Sequence, residues 1–203
     1  ETAFAYNYGE LVTPRNLQLH DVAIAIDEVR RMREVGGSTI VELSCGGLKP
    51  DPEGLAEISK VTGVHLVMGC GYYVDEYQAP RNRDRRVDDF AQEMIDQVQV
   101  GAWGTRVRAG DLSRVVISHI DRTIFDDARL LRLADSGCVV EFDLFGQETS
   151  FYKWNDIDMP NDAQRLRHIR TLIAHGHLER VVISHDICYV SRLVRFGGHG
   201  YGH

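Results

Sequence analysis

The hexapeptide RVVISH occurs twice in the chain, from Arg114 to His119 and from Arg180 to His185. Each copy is a run of β-branched residues closed by Ser-His, the pattern of a buried strand with a polar tip. An uninterrupted apolar strand must be covered on both faces, and a parallel sheet flanked by helices provides that cover. Similar runs are STIVELS (Ser38–Ser44), VHLVMGCGYYV (Val64–Val74) and CVVEFDL (Cys138–Leu144). With Val115–His119 and Val181–Asp186 they define the expected strands.

Helical patterns alternate with these runs. The apolar stripe Val22, Ala25, Ile26, Val29 and Met32 predicts a helix over Asp21–Glu34, with Asp21 as N-cap and Gly36-Gly37 as stop. Further helices are expected over Asp51–Val61, Val87–Val100, Asp126–Asp135, Ala163–Ala174 and about Tyr189–Arg195. The fold class is therefore α/β. Both an open doubly wound sheet and a (β/α)8 TIM barrel fit the alternation. No GxGxxG follows a strand, which argues against the dinucleotide-binding form of the open sheet.

A chain of 203 residues suits a single globular domain. The net charge of −7 provides no electrostatic footprint for nucleic acid or an anionic membrane. The basic stretch from Arg81 to Arg86 is followed at once by Asp88 and Asp89 and reads as a solvated surface. No apolar run is long enough for a transmembrane helix. The opening ETAFAYNYGE lacks the basic and apolar regions of a signal peptide. Cys45, Cys70, Cys138 and Cys188 form no CxxC pair and read as reduced thiols of a cytoplasmic protein.

Polar residues gather at the C-terminal ends of the strands, where α/β folds place their function. A lone histidine there is usually a satisfied structural residue. Yet His119 is followed by Asp121 and Arg122, and His185 by Asp186. Converging His and Asp side chains are what a hydrolytic metal site requires. Neighbouring strand residues point to opposite faces, so His185 and Asp186 cannot both look inward, and the strand alone leaves open which does. Glu141 and Asp143 share a face by parity. They suit substrate binding or proton relay, or equally an ion pair with Arg122. Ser118 and Ser184 directly precede histidines and point away from them, and no GxSxG is present, so a serine-hydrolase arrangement is poorly supported.

The segments GVHLVMGCGYYVD, DLSRVVISHIDRT, EFDLFGQETSFY and VVISHDICYVSRLVRFGGHGYGH resemble the phosphotriesterase-related branch of the phosphotriesterase family, in the amidohydrolase superfamily. The resemblance runs from about Leu11 to His203. It implies a (β/α)8 barrel with a binuclear metal centre, two divalent ions with zinc expected, at the C-terminal mouth. It implies that His119 is the sixth-strand ligand and that Asp186 is the eighth-strand ligand and catalytic base, which turns His185 away. Tyr73 falls where relatives place a pocket aromatic, and Tyr73, Glu141 and Arg122 are the expected substrate contacts.

The resemblance also marks what is missing. The family's first-strand HxH would lie before this sequence. GTRVRAG runs straight into DLSRVVISH at Gly110-Asp111, where relatives carry the fourth and fifth strands. The expectation is one barrel domain over residues 1–203, incomplete at about 110–111. The implied activity is metal-dependent hydrolysis of a small amide, ester, lactone or phosphoester, with an N-acyl amide favoured. A non-catalytic small-molecule-binding barrel, or an inactive truncated form, is the alternative. The expected partner is a small-molecule substrate; the resemblance leaves a homodimer open, since family barrels often dimerise, and no dimer surface is marked in the sequence.

Overall fold

The structure is a computed structural model that describes residues 14–148, 152 and 156–202. The stretch ETAFAYNYGE and His203 lie outside the described residues. The described residues divide into two compact units: Leu112–Arg192 with 14–19, and His20–Asp111 with 193–202.

The second unit holds strands β1 (Thr39–Glu42) and β2 (His65–Met68), paired in parallel with Thr39 opposite His65. Helix α1 (Val22–Glu34) precedes β1, α2 (Pro52–Thr62) links the strands, and α3 (Val87–Gln99) follows β2. Helix α1 is capped by Asp21, as the sequence predicts, and α2 is capped by Asp51. Asp21 Oδ1 accepts from the Ile24 amide and Asp51 Oδ1 from the Gly54 amide, both at 3.0 Å, satisfying amides that have no partner in the first turn. Gly63 ends α2 at φ 69°, the left-handed conformation that glycine adopts without a Cβ clash. Val29, Met32, Ile58 and Val64 form the buried core of this unit.

The first unit carries β3 (Val116–Ile117), β4 (Val139–Phe142) and β5 (Val181–Ile183), all parallel, in the order β3-β4-β5. Helices α4 (Asp127–Asp135) and α5 (Asp162–Ala174) are its crossovers. Asn161 and Gln164 form a capping box at the start of α5. Leu130, Val140, Phe142 and Leu172 are essentially inaccessible and close one apolar core.

All five predicted strands stop short of their expected C-terminal ends, and one predicted helix does not form. The strand expected over Val64–Val74 stops at Met68, ahead of Gly69 and Gly71. The helix expected over Tyr189–Arg195 is replaced by two 3-10 turns, Val190–Arg192 and Val194–Phe196. The cause lies in the buried carboxylate of Glu28, which accepts the amides of Val194 at 2.9 Å and Arg195 at 2.8 Å. Those amides are then unavailable to a continuous helix.

All four cysteines are free thiols. Cys45 and Cys138 are buried, Cys188 is half-buried and Cys70 is exposed. Burial pushes the Cys45 thiol up to about 11, with the Glu42 carboxylate adding to the effect. Thiolate fraction and access together set reactivity. Iodoacetamide under native conditions should therefore alkylate Cys70 first, with Cys45 and Cys138 modified only on unfolding. Peptide mass mapping checks this, and early labelling of Cys138 would contradict the described packing.

Candidate active site

The polar tips of β3 and β4 meet residue by residue. Ser118 Oγ donates to Glu141 Oε2 at 2.6 Å. The next residue, His119, meets Asp143: its backbone amide donates to Oδ1 at 3.1 Å, and its ring Nδ1 lies 2.9 Å from Oδ1 and 2.8 Å from Oδ2. Glu141 and Asp143 share a side by strand parity, whereas Ser118 and His119 would not. The backbone resolves this, because His119 adopts φ 58°, in the left-handed region. That turn swings the imidazole to the side its neighbour already faces. With Nδ1 held by a carboxylate, Nε2 is the nitrogen through which His119 can bind a ligand.

Asp186, at the tip that follows β5, also has a positive φ, of 49°. Its electrostatic neighbours are His119, Asp143, Arg122 and Arg192. His185 turns elsewhere: its Nδ1 lies 3.0 Å from the carbonyl oxygen of Phe145, and its own carbonyl accepts from Gln147 and Arg192. The repeated histidines thus have different surroundings, one in the carboxylate cluster and the other against backbone.

Burial dominates the electrostatics. It raises the Glu141 and Asp143 carboxyls to about 7 each and pushes Asp186 up as well. The His119 imidazole is pushed down, first by burial and then by the Arg122 guanidinium. Arg122 is itself buried, and its guanidinium carbon lies 5.2 Å from the centre of the Tyr152 ring.

A second layer, which the sequence did not mark, supports this cluster. Arg165 on α5 is fully buried. Its Nε donates to Asp121 Oδ2 at 2.9 Å, its Nη1 to Asp162 at 2.6 Å and its Nη2 to the Gln147 carbonyl at 2.7 Å. Asp121 Oδ2 also accepts the Leu144 amide at 3.0 Å, one residue beyond Asp143. An Asp two residues after His119 was visible in the sequence. Its partner 44 residues away was not, since no local period links the two.

His119, Glu141, Arg122 and Asp186 all belong to the first unit. Tyr73 belongs to the other. There its ring packs edge-on against Tyr77 at 5.3 Å, and its amide donates to the Gly46 carbonyl.

His119 and Asp186 are chemically apt ligands for a hard or borderline divalent ion. Among the described residues, however, no group of three or more His, Cys, Asp or Glu side chains is arranged to hold a metal. The described donors therefore fit part of a metal centre and do not complete one.

Parallel strands with helical crossovers define an α/β fold, and its structural neighbours are TIM-barrel proteins, a barrel present here in part. A resiniferatoxin-binding protein from Rhodobacter sphaeroides superposes with a TM-score of 0.71 at 26% identity, over 98% of this chain and 71% of that one. The chain belongs to the phosphotriesterase family, whose model matches residues 2–112 and 108–203. The N-acetyltaurine hydrolase of Dictyostelium discoideum is 34% identical over 255 aligned positions, 98% of this chain and 68% of the relative. A phosphotriesterase-related protein of Nematostella vectensis is 33% identical, covering 93% of this chain and 71% of the relative. An alignment of 255 positions exceeds the 203 residues available, so the Dictyostelium protein carries residues within the matched span that this chain lacks.

Removing the cation from a buried ion pair leaves the carboxylate unpaired. Arg165→Met should therefore lower stability to urea by about 3–5 kcal/mol. The double variant Asp121→Asn with Arg165→Met should recover part of that loss, because it removes the stranded charge and keeps an acceptor for Leu144. A single variant as stable as the parent would show that the pair does not hold the cluster.

Proposed function

We propose that this chain is a hydrolase of the phosphotriesterase family that activates water against a small substrate, with an N-acyl amide as the favoured class. The observation that carries the reading is the strand-tip cluster. His119 is clamped by Asp143, with Asp186 as an electrostatic neighbour, in a chain 34% identical to an N-acetyltaurine hydrolase. Asp186 is the base that takes the proton from the attacking water. Asp143 fixes the ring of His119 and leaves Nε2 for a ligand. Glu141, held by Ser118, and the buried guanidinium of Arg122 are proposed to bind the substrate; the family resemblance makes Tyr73 of the other unit a pocket aromatic as well.

The proposed cofactor is a pair of divalent ions, with zinc expected, held in part by His119 and Asp186. Such an ion supplies a bound water whose pKa falls to about 7. The family resemblance assigns the other ligands to the first, fourth and fifth strands. The two family-model matches that meet at 108–112 support a missing segment there. A cytoplasmic location and a homodimer are part of the same proposal. Among the described residues no helix is long and apolar enough to cross a membrane.

The incomplete donor set favours one competing reading, a barrel that binds a small molecule without turning it over. Assays of the zinc-supplemented chain on N-acyl amides, lactones and phosphotriesters separate the two. Asp186→Asn should reduce turnover by about 10²-fold or more with an unchanged circular dichroism spectrum, as expected for loss of a general base. His185→Ala should retain activity, because its ring faces backbone. An Asp186→Asn variant at the parent rate would remove the assigned role, and a parent chain with no turnover on any of the three classes would favour the binding protein.

A further inference from the structure

We propose that a cavity built entirely from the unit containing β1 and β2 binds a small organic anion with a flat apolar body. The cavity measures about 780 Å³, within the range of small-molecule sites. Its wall combines three cations, Lys49, Arg81 and Arg85, with three aromatic rings, Tyr72, Tyr77 and Trp103, and a single acid, Glu93. The chain as a whole carries −7, so this positive lining is a local departure from its background.

The wall is constructed rather than incidental. Arg85 donates to the Tyr72 hydroxyl at 2.7 Å and to Glu93 Oε2 at 2.6 Å, and its guanidinium carbon lies 4.3 Å from the centre of the Phe90 ring. Glu93 thereby balances Arg85, and the net charge of the lining rests on Lys49 and Arg81. Both are exposed, and Arg81 also helps, after Tyr72 and Arg85, to lower the Glu93 carboxyl. Gln78 Nε2 donates to the carbonyls of Gly46 at 2.7 Å and Tyr73 at 2.8 Å, tying the loops after β1 and β2 together. A Cβ on Gly46 would come within 2.9 Å of the Tyr72 ring, and one on Gly47 within 2.9 Å of the Tyr77 carbonyl oxygen. Only glycine permits so close an approach at those two places.

Backbone conformation singles out the same region. The described residues include four non-glycine positions with positive φ. Two are His119 and Asp186 at the strand tips. The other two, Lys49 at 56° and Trp103 at 54°, both line this cavity. Such conformations are disfavoured for residues with a Cβ and persist where the surroundings enforce them, often at ligand sites. Trp103 is held in place by its indole N–H, which donates to the Gly69 carbonyl at 2.7 Å.

Aromatic faces accept a flat apolar body by stacking, and Lys49 and Arg81 supply the countercharge for an anionic group. The ligand class that uses both features is an aryl phosphate or carboxylate. None of the residues proposed for hydrolysis lines this cavity, so the inference stands apart from that reading.

The test uses the full chain carrying Trp154→Phe, which leaves Trp103 as the one indole, and follows its fluorescence during titration with phenyl phosphate. Saturable quenching is expected, weaker with benzyl alcohol or inorganic phosphate, and weakened when sodium chloride rises from about 20 to about 200 mM. Lys49→Ala with Arg81→Ala should raise Kd by about tenfold at unchanged melting temperature, since both side chains are exposed. Asp186→Asn should bind as the parent does. The proposal is overturned by an absence of saturable quenching up to about 10 mM, by equal binding to the double variant, by salt-independent binding, or by loss of binding in Asp186→Asn.

Discussion

The contact between His119 and Asp143 depends on a backbone conformation that an ordinary strand does not allow. A regular β3 would send Ser118 and His119 to opposite faces. The positive φ of His119 breaks that alternation, so two consecutive residues of one strand tip reach two carboxylates of the next. Asp186 ends its own strand run in the same unusual conformation. The two positions the family resemblance assigns as ligands are thus the two where, among the described residues of this unit, a non-glycine residue takes left-handed geometry. Strain of that kind survives only in a rigid setting. Here the setting is β4, buried from Val140 to Phe142 in one core with α4 and α5 and fixed at its exit by Asp121.

Asp121 and Arg165 carry that rigidity outward. One carboxylate oxygen takes both the amide after Asp143 and the guanidinium of a fully buried arginine on α5. The helix that covers the sheet is therefore coupled to the loop that aims the cluster. Burial raises the carboxyls of Asp121, Glu141, Asp143 and Asp186 together. So many acids in one low-dielectric pocket need a cation or shared protons, and Arg122, Arg165 and Arg192 are cations that this unit sets beside them.

Much of the fold was legible in the sequence because its signals are local. β-branched runs mark the strands, the spacing of Val22 to Met32 marks a helix face, and Asp21, Asp51 and Asp126 mark starts. The helix expected near Tyr189 failed because Glu28, far away in sequence, takes its amides. The site was half legible. Parity grouped Glu141 with Asp143, but His185 and Asp186 lie beyond the end of β5, where Asp186 takes a positive φ and strand parity no longer applies. It could not foresee that His119 would leave the strand pattern, since positive φ at a histidine has no sequence signature. The Arg165 anchor and the cationic cavity around Lys49 were hidden for the same reason: tertiary packing creates them.

The incomplete barrel has physical consequences. The second unit has a sheet of only two strands, and Ile183 on the edge strand β5 remains 64% exposed. A closed barrel leaves no such edge. The Dictyostelium relative carries additional residues within the matched span, and the family model matches this chain in two stretches that meet at 108–112. What this chain retains in full is the clamp that orients His119.

The most direct measurement is the protonation state of that imidazole. Nitrogen NMR of the ¹⁵N-histidine-labelled chain at about pH 8, with Asp143→Asn as the assignment control, reports which ring nitrogen carries the proton. At that pH Asp143, at about 7, is mostly ionised and accepts from Nδ1. The expected result is a neutral His119 protonated on Nδ1, with Nε2 bare. A ring protonated on Nε2 would mean that Asp143 does not hold it, and the proposed orientation of the site would be wrong.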